Sequence, residues 1–229
     1  KNCTVNILTF NDNDGKKAFW HTSSHILAQA VKRLFPSVKL AIGPSIENGF
    51  YYDFDIETPF SQDDLKNIEE EIKKICKEGL EIEKFVLSRD EAIKLMEERG
   101  ETYKVELIND IPDGCEISFY KQGEFEDLCA GPHLFNIKNI KAIKLLSATG
   151  AYWRGNENNK MLTRVYGISF PKASMLNEYL EMLEEAKKRD HNKIGRELEF
   201  FTTNEFIGQG LPLLMPKGAK LMQILQRFV

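Results

Sequence analysis

The sequence predicts an α+β fold, with helices and antiparallel strands that do not strictly alternate. Three observations carry this. Apolar residues recur at helical spacing from about Phe19 to Leu34 and again in two capped stretches further on. Asn48-Gly49 separates two short β-prone runs, as in a hairpin. From Thr102 to Phe170 the chain reads as mostly β, and Pro171 then opens a long helical pattern.

Taken in order, "TVNILTF" at 4–10 reads as a strand and "NDNDGKK" as a polar turn. Ile26, Leu27, Ala30, Val31 and Leu34 form the stripe of the first helix, which Pro36 ends. "VKLAIGPSI" and "GFYYDFDI" read as the hairpin strands. Ser61 and Asp64 can form a capping box ahead of the stripe Leu65, Ile68, Ile72 and Ile75, with Gly79 as the stop. Ser88, Glu91 and Gly100 repeat these signals. "TYKVELI", "CEISFYKQ", "FEDLCA", "AIKLLSATGAYW" and "MLTRVYGISF" read as strands, with "RGNENNK" as the turn between the last two. The helix from Pro171 to about Asp190 has Leu176, Tyr179, Leu180 and Leu183 as its expected buried stripe. "NKIGRELEFF" and "GQGLPLLMPKG" read as a linker and the start of another domain.

Composition narrows the function. The chain has 229 residues, 42% hydrophobic and 29% charged, as in a soluble globular protein. A formal charge of −4 argues against generic nucleic-acid binding, so any RNA contact is expected to be local and geometric. No apolar run reaches the roughly 18 residues of a membrane span, and the first ten residues lack signal-peptide anatomy. Cys3, Cys76, Cys115 and Cys129 form no dense framework and suit reduced thiols in a cytosolic protein. Both ends read as cut from a longer polypeptide.

Two pairs carry the candidate chemistry. "HTSSH" places His21 and His25 four apart in a helical run, so both can converge on one small object. "DLCAGPH" places Cys129 and His133 four apart, with Gly131 and Pro132 between them, which predicts a tight turn at a strand end. If the halves meet, three imidazoles and a thiol surround a cavity. A Cys-His₃ set suits zinc, although "HTSSH" lacks the glutamate of an H-E-x-x-H protease. A metal-free hydrolytic pocket is the other reading, and hydrogen-bonded core residues without chemistry are the plain alternative. His191, in "KKRDHNK", reads as a surface residue near a helix end.

"HTSSHILAQAVKRLFP", "AIGPSIENGFYYDFD", "RGETYKVELI", "DLCAGPH", "TGAYWRGNENNKMLTRVYGISF" and "EEAKKRDHNKIGRELEFF" together cover most of the chain. Across them it resembles the bacterial-type threonyl-tRNA synthetase family. The two spaced pairs are also similar to alanyl-tRNA synthetase editing domains. The resemblance implies the end of a small N-terminal (TGS-like) domain at 1–12 and an editing domain at 13–170. It further implies a linker helix at 171–197 and the truncated start of a class II catalytic domain at 198–229. His21, His25, Cys129 and His133 match the family's editing-pocket set, with Lys104, Asp127 and Tyr52 beside them. Tyr52 is expected at the end of the second hairpin strand. The resemblance suggests catalytic roles for His21, Lys104 and His25, and substrate-binding roles for Tyr52, Asp127, Cys129 and His133.

The implied partner is the acceptor end of tRNA(Thr) carrying serine, and the implied reaction is hydrolysis of that ester. No cofactor or metal is expected for editing. ATP, magnesium and zinc are expected only in the absent catalytic domain, and with them the ligase activity of the parent protein. The fragment is expected to be a cytoplasmic monomer and the parent a homodimer. A zinc-dependent hydrolase and a non-catalytic tRNA-binding module are the alternatives.

Overall fold

A computed structural model describes residues 4–208 and 210–228. The chain divides into two compact units, Lys1–Leu176 and Asn177–Val229.

The first unit begins with α1 (Asn13–Leu34). Residues 4–9, expected to be a strand, form no regular element, and Val5 and Ile7 lie exposed. A strand needs a hydrogen-bonded neighbour, and no described residue pairs with this segment. The expected polar turn is itself helical from Asn13, so α1 starts about six residues before Phe19. Every residue from Phe19 to Val31 except His21 is buried, because α2, β3 and β8 pack around the helix. The polar residues so buried are satisfied: Trp20 Nε1 donates to the Ser169 carbonyl at 2.9 Å, and Ser23 Oγ donates to the Phe19 carbonyl at 2.9 Å.

Short strands β1 (Lys39–Leu40) and β2 (Ser45–Ile46) lead to β3 (Gly49–Asp55). Ile46 pairs with Gly49, so the hairpin turn is Glu47-Asn48, one residue before the expected step. Only Gly49 takes a positive φ there (115°). The helix α2 (Gln62–Glu78) carries the capping box of Ser61 and Asp64 and ends on left-handed Gly79 (φ 66°). Next comes β4 (Ile82–Leu87), which the sequence reading missed, and then α3 (Arg89–Glu98), capped by Ser88 and Glu91.

"TYKVELI" is not a strand but the helix α4 (Thr102–Asp110). Tyr103, Val105 and Leu107 mimic a period of two, yet the groups that pack are four apart. Tyr103 and Leu107 join Ala41, Trp153 and Leu162, and Lys104 and Ile108 are buried on the adjoining stripe. The strands β5 (Ile117–Gln122), β6 (Phe125–Leu128), β7 (Ala142–Tyr152) and β8 (Met161–Phe170) fall where the sequence placed them. All pairings are antiparallel: β1-β3-β8-β7, with β2 also on β3, and separately β4-β5-β6. A second core, Ala92, Met96, Ile108, Ile117 and Phe119, joins α3, α4 and β5.

The helix α5 (Ala173–Lys188) begins near Pro171 as expected, but its stripe is only half-buried. The expected continuous linker breaks at Asp190, which caps α6 (His191–Glu197). The second unit adds the hairpin of β9 (Phe201–Thr202) and β10 (Leu213–Leu214), and α7 (Pro216–Phe228). Among the described residues no helix is long and apolar enough to cross a membrane.

Candidate active site

The site lies in the first unit, where α1, β3, α4 and the β6 end converge. His21 and His25 project from successive turns of α1, with ring centroids 5.3 Å apart. The His133 ring lies 4.2 Å from both. Cys129 Sγ is 3.2 Å from His21 Nε2 and 3.1 Å from His133 Nε2, and accepts a hydrogen bond from the Gly131 amide at 3.2 Å. The four candidate ligand atoms lie within 4.8 Å of one another. The expected turn is present. Gly131 stands at φ 71°, and a Cβ there would fall 2.2 Å from Tyr120 Oη. That close approach requires glycine and holds Cys129 and His133 on one side.

A second, fully buried network adjoins the first. Asp127 Oδ1 lies 2.6 Å from Lys104 Nζ, and its Oδ2 accepts from Tyr52 Oη at 2.6 Å. Lys104 Nζ also donates to Tyr52 Oη at 3.1 Å. Tyr52 sits mid-strand in β3 rather than at its end, and Gly43 packs against its ring, where a Cβ would come within 2.1 Å. His25 Nε2 is 4.0 Å from Asp127 Oδ2 and joins the two groups of side chains. That distance is too long for a hydrogen bond.

Burial dominates the electrostatics. It holds His25 well below the ordinary imidazole range, helped by His21 and Lys104. It lowers His133 in the same way, helped by His25 and His21, and it lowers His21 against a hydrogen bond to the Pro132 carbonyl. It pushes the Cys129 thiol up to about 12 and Tyr52 well above its usual value. The resting cluster is therefore three neutral imidazoles and a thiol. His21, Cys129 and His133 are only partly buried, so the cluster can be reached from solvent.

The donor set fits zinc chemically, but the spacing is loose. Bond lengths of about 2.0–2.3 Å place tetrahedral ligands about 3.3–3.8 Å apart, against separations of up to 4.8 Å here.

All seven predicted site residues thus come together. His191, in the second unit, lies on the surface, as expected. Cys76 is a half-buried thiol pushed up to about 12, Cys115 is exposed, and Cys3 lies outside the described residues. The sequence reading missed Gly43 and Tyr120, against Tyr52 and Gly131, and Thr22, whose hydroxyl lies 3.2 Å from His133 Nδ1. Thr22 sits inside "HTSSH", but nothing in the motif separates it from its serine neighbours.

Residues 117–166, which run from β5 into β8 and carry Asp127, Cys129 and His133, match the family described as the threonyl and alanyl tRNA synthetase second additional domain. The match places this site-bearing stretch in an accessory domain of aminoacyl-tRNA synthetases. Longer matches narrow it. The chain is 66% identical over 226 residues to threonine–tRNA ligase of Clostridium perfringens, covering 99% of this chain and 35% of that protein. It is 65% identical over 224 residues to that of Caldanaerobacter subterraneus, covering 98% and 35%. It is 62% identical over 226 residues to that of Acetivibrio thermocellus, covering 99% and 35%. The chain belongs to the threonyl-tRNA synthetase family and spans about a third of the length of these curated relatives.

Proposed function

We propose that the pocket hydrolyses the ester of serine mischarged onto tRNA(Thr) and spares the threonyl ester. The observation that carries this is the junction, through His25 and Asp127, of a buried charged network with the neutral His/Cys cluster. A passive RNA-binding surface needs basic and aromatic side chains rather than such a junction. Serine is threonine less one methyl, and such a difference gives only about 1–3 kcal/mol of discrimination in a single binding step. A second site too small for threonine supplies the rest.

Asp127 suits the substrate α-ammonium. Each carboxylate oxygen has one partner and a further lone pair, so the ammonium can add to Asp127 beside Lys104 and Tyr52. Lys104, held next to Asp127, is the cation that polarises the ester carbonyl or orients the attacking water. His21, the half-buried histidine of α1, contacts the terminal ribose or that water. His25, Cys129 and His133 form the wall and meet the serine hydroxyl. Ester hydrolysis releases serine and leaves the tRNA 3′ hydroxyl.

In this reading the reaction uses no metal, which the loose spacing of the four ligand atoms supports. Zinc is the second reading, favoured by their convergence; it would displace the Cys129 proton and supply a Lewis acid. The test is release of serine from seryl-tRNA(Thr) by this chain in excess, with and without a chelator, repeated for His21→Ala and Lys104→Ala. Chelator-resistant release, slowed in both variants, is the expected result. Loss with chelator sinks the metal-free reading, and unaffected variants sink the site assignment.

The linker role of α5 and α6 and the catalytic-domain role of the second unit belong to the same proposal. So do an ATP-dependent ligase parent that is dimeric and cytoplasmic, and a monomeric state for this chain.

A further inference from the structure

We infer that Thr22 is a positioning residue that fixes the tautomer of His133, and so decides which ring nitrogen faces Cys129. This rests on the proposed function only in giving His133 a place in the pocket. The geometry stands apart from it.

Thr22 is fully buried, so no solvent competes for its hydroxyl. That hydroxyl has one proton, which it donates to the Ala18 carbonyl one turn back, at 2.8 Å. Its oxygen is then left to accept, and two groups from the opposite loop approach it. The Leu134 amide donates at 2.9 Å, and His133 Nδ1 stands at 3.2 Å. With the hydroxyl proton committed elsewhere, Nδ1 has to carry the hydrogen of that contact. A neutral ring has only one such hydrogen, so Nε2 is a bare lone pair. That nitrogen faces Cys129 Sγ at 3.1 Å and can only accept from the thiol, whose single proton His21 Nε2, 3.2 Å away, can also take.

The chain of consequences runs from the α1 backbone through Thr22 and His133 to Cys129. It ties the Cys129–His133 turn to α1 at two points, the Leu134 amide and the His133 ring. Serine keeps the hydroxyl and preserves the arrangement. Valine keeps the volume but offers no acceptor, so His133 loses its reason to hold the proton on Nδ1.

The experiment is long-range 1H–15N correlation of the histidine side chains in this chain, for the unsubstituted protein, Thr22→Ser and Thr22→Val. The expected pattern is a protonated Nδ1 and a bare Nε2 on His133, kept in Thr22→Ser and mixed or inverted in Thr22→Val. Deacylation of the seryl ester should fall about five-fold in Thr22→Val, as for the loss of one neutral hydrogen bond, and recover in Thr22→Ser. His133 protonated on Nε2 in the unsubstituted chain overturns the inference, whether or not Thr22→Val folds. So does an unchanged tautomer in a folded Thr22→Val. The spectrum needs no substrate. The tautomer pattern in a chain that released no serine would therefore contradict the proposed function while supporting the role of Thr22.

Discussion

Mild acid should destabilise this protein well before its carboxylates respond. His25 and His133 are held neutral by burial in the folded chain, whereas each titrates at about 6.5 once unfolded. The unfolded state then binds more protons, so stability is full above about pH 6.5 and falls as the pH drops below it. Between pH 7.5 and 5.5 a histidine that stays neutral when folded loses about 1.4 kcal/mol, and the pair about 3 kcal/mol. His21, lowered in the same direction, adds to the loss. Carboxylates fall outside this window: Glu124, held down to about 2 by Arg33, gives up its contribution only as the pH falls from the ordinary glutamate range towards that value. The assay is urea unfolding at the two pH values. With a slope of about 1–3 kcal/mol per molar urea, the midpoint should fall by roughly 1 M or more at pH 5.5. His133→Asn should flatten the dependence. Equal midpoints at the two pH values would refute the neutral, buried cluster.

Two further outcomes follow from the packing. Lys104→Met leaves Asp127 buried without its cation, and urea denaturation should show a loss of about 3–5 kcal/mol. The double change Lys104→Met with Asp127→Leu should cost less than Lys104→Met alone, and a cost equal to the sum of the two single changes would show that the pair is uncoupled. Gly131→Ala places a Cβ 2.2 Å from Tyr120 Oη at a φ of 71°. It should lower stability by about 1–3 kcal/mol in thermal unfolding, and slow seryl-ester release by displacing Cys129 and His133. Unchanged values would show that the turn relaxes freely.

Much of this architecture is legible locally. The Ser61 and Ser88 capping boxes, Gly79 and the long β7–β8 pair depend on neighbouring residues, and all form as the sequence predicts. Where the reading fails, contacts remote in sequence decide. The α4 segment alternates like a strand over the six residues Thr102–Leu107, and only its packing against Ala41, Trp153 and Leu162 reveals a helix. Four of the six β4 residues are apolar, but they do not alternate strictly and none is fully buried, so its strand character rests on pairing with β5. Residues 4–9 have strand composition but no paired neighbour among the described residues.

The site divides in the same way. Spacing alone brings out the His21–His25 and Cys129–His133 pairs, because three of only four histidines fall in them. Lys104, Asp127 and Tyr52 enter through family resemblance, since no local pattern joins residues 52, 104 and 127. The helix α4 completes them: as a helix it directs Lys104 to the Tyr52–Asp127 pair. Thr22 was hidden for another reason. Its importance lies in which protons its neighbours carry, and that needs the opposing loop in place.

The central claim is selective hydrolysis, and one comparison tests it most directly. Matched seryl-tRNA(Thr) and threonyl-tRNA(Thr) should be incubated with an excess of this chain and the rates of amino-acid release compared. Fast release of serine with threonine retained is the predicted result. Equal release of the two, or release of neither, would contradict it.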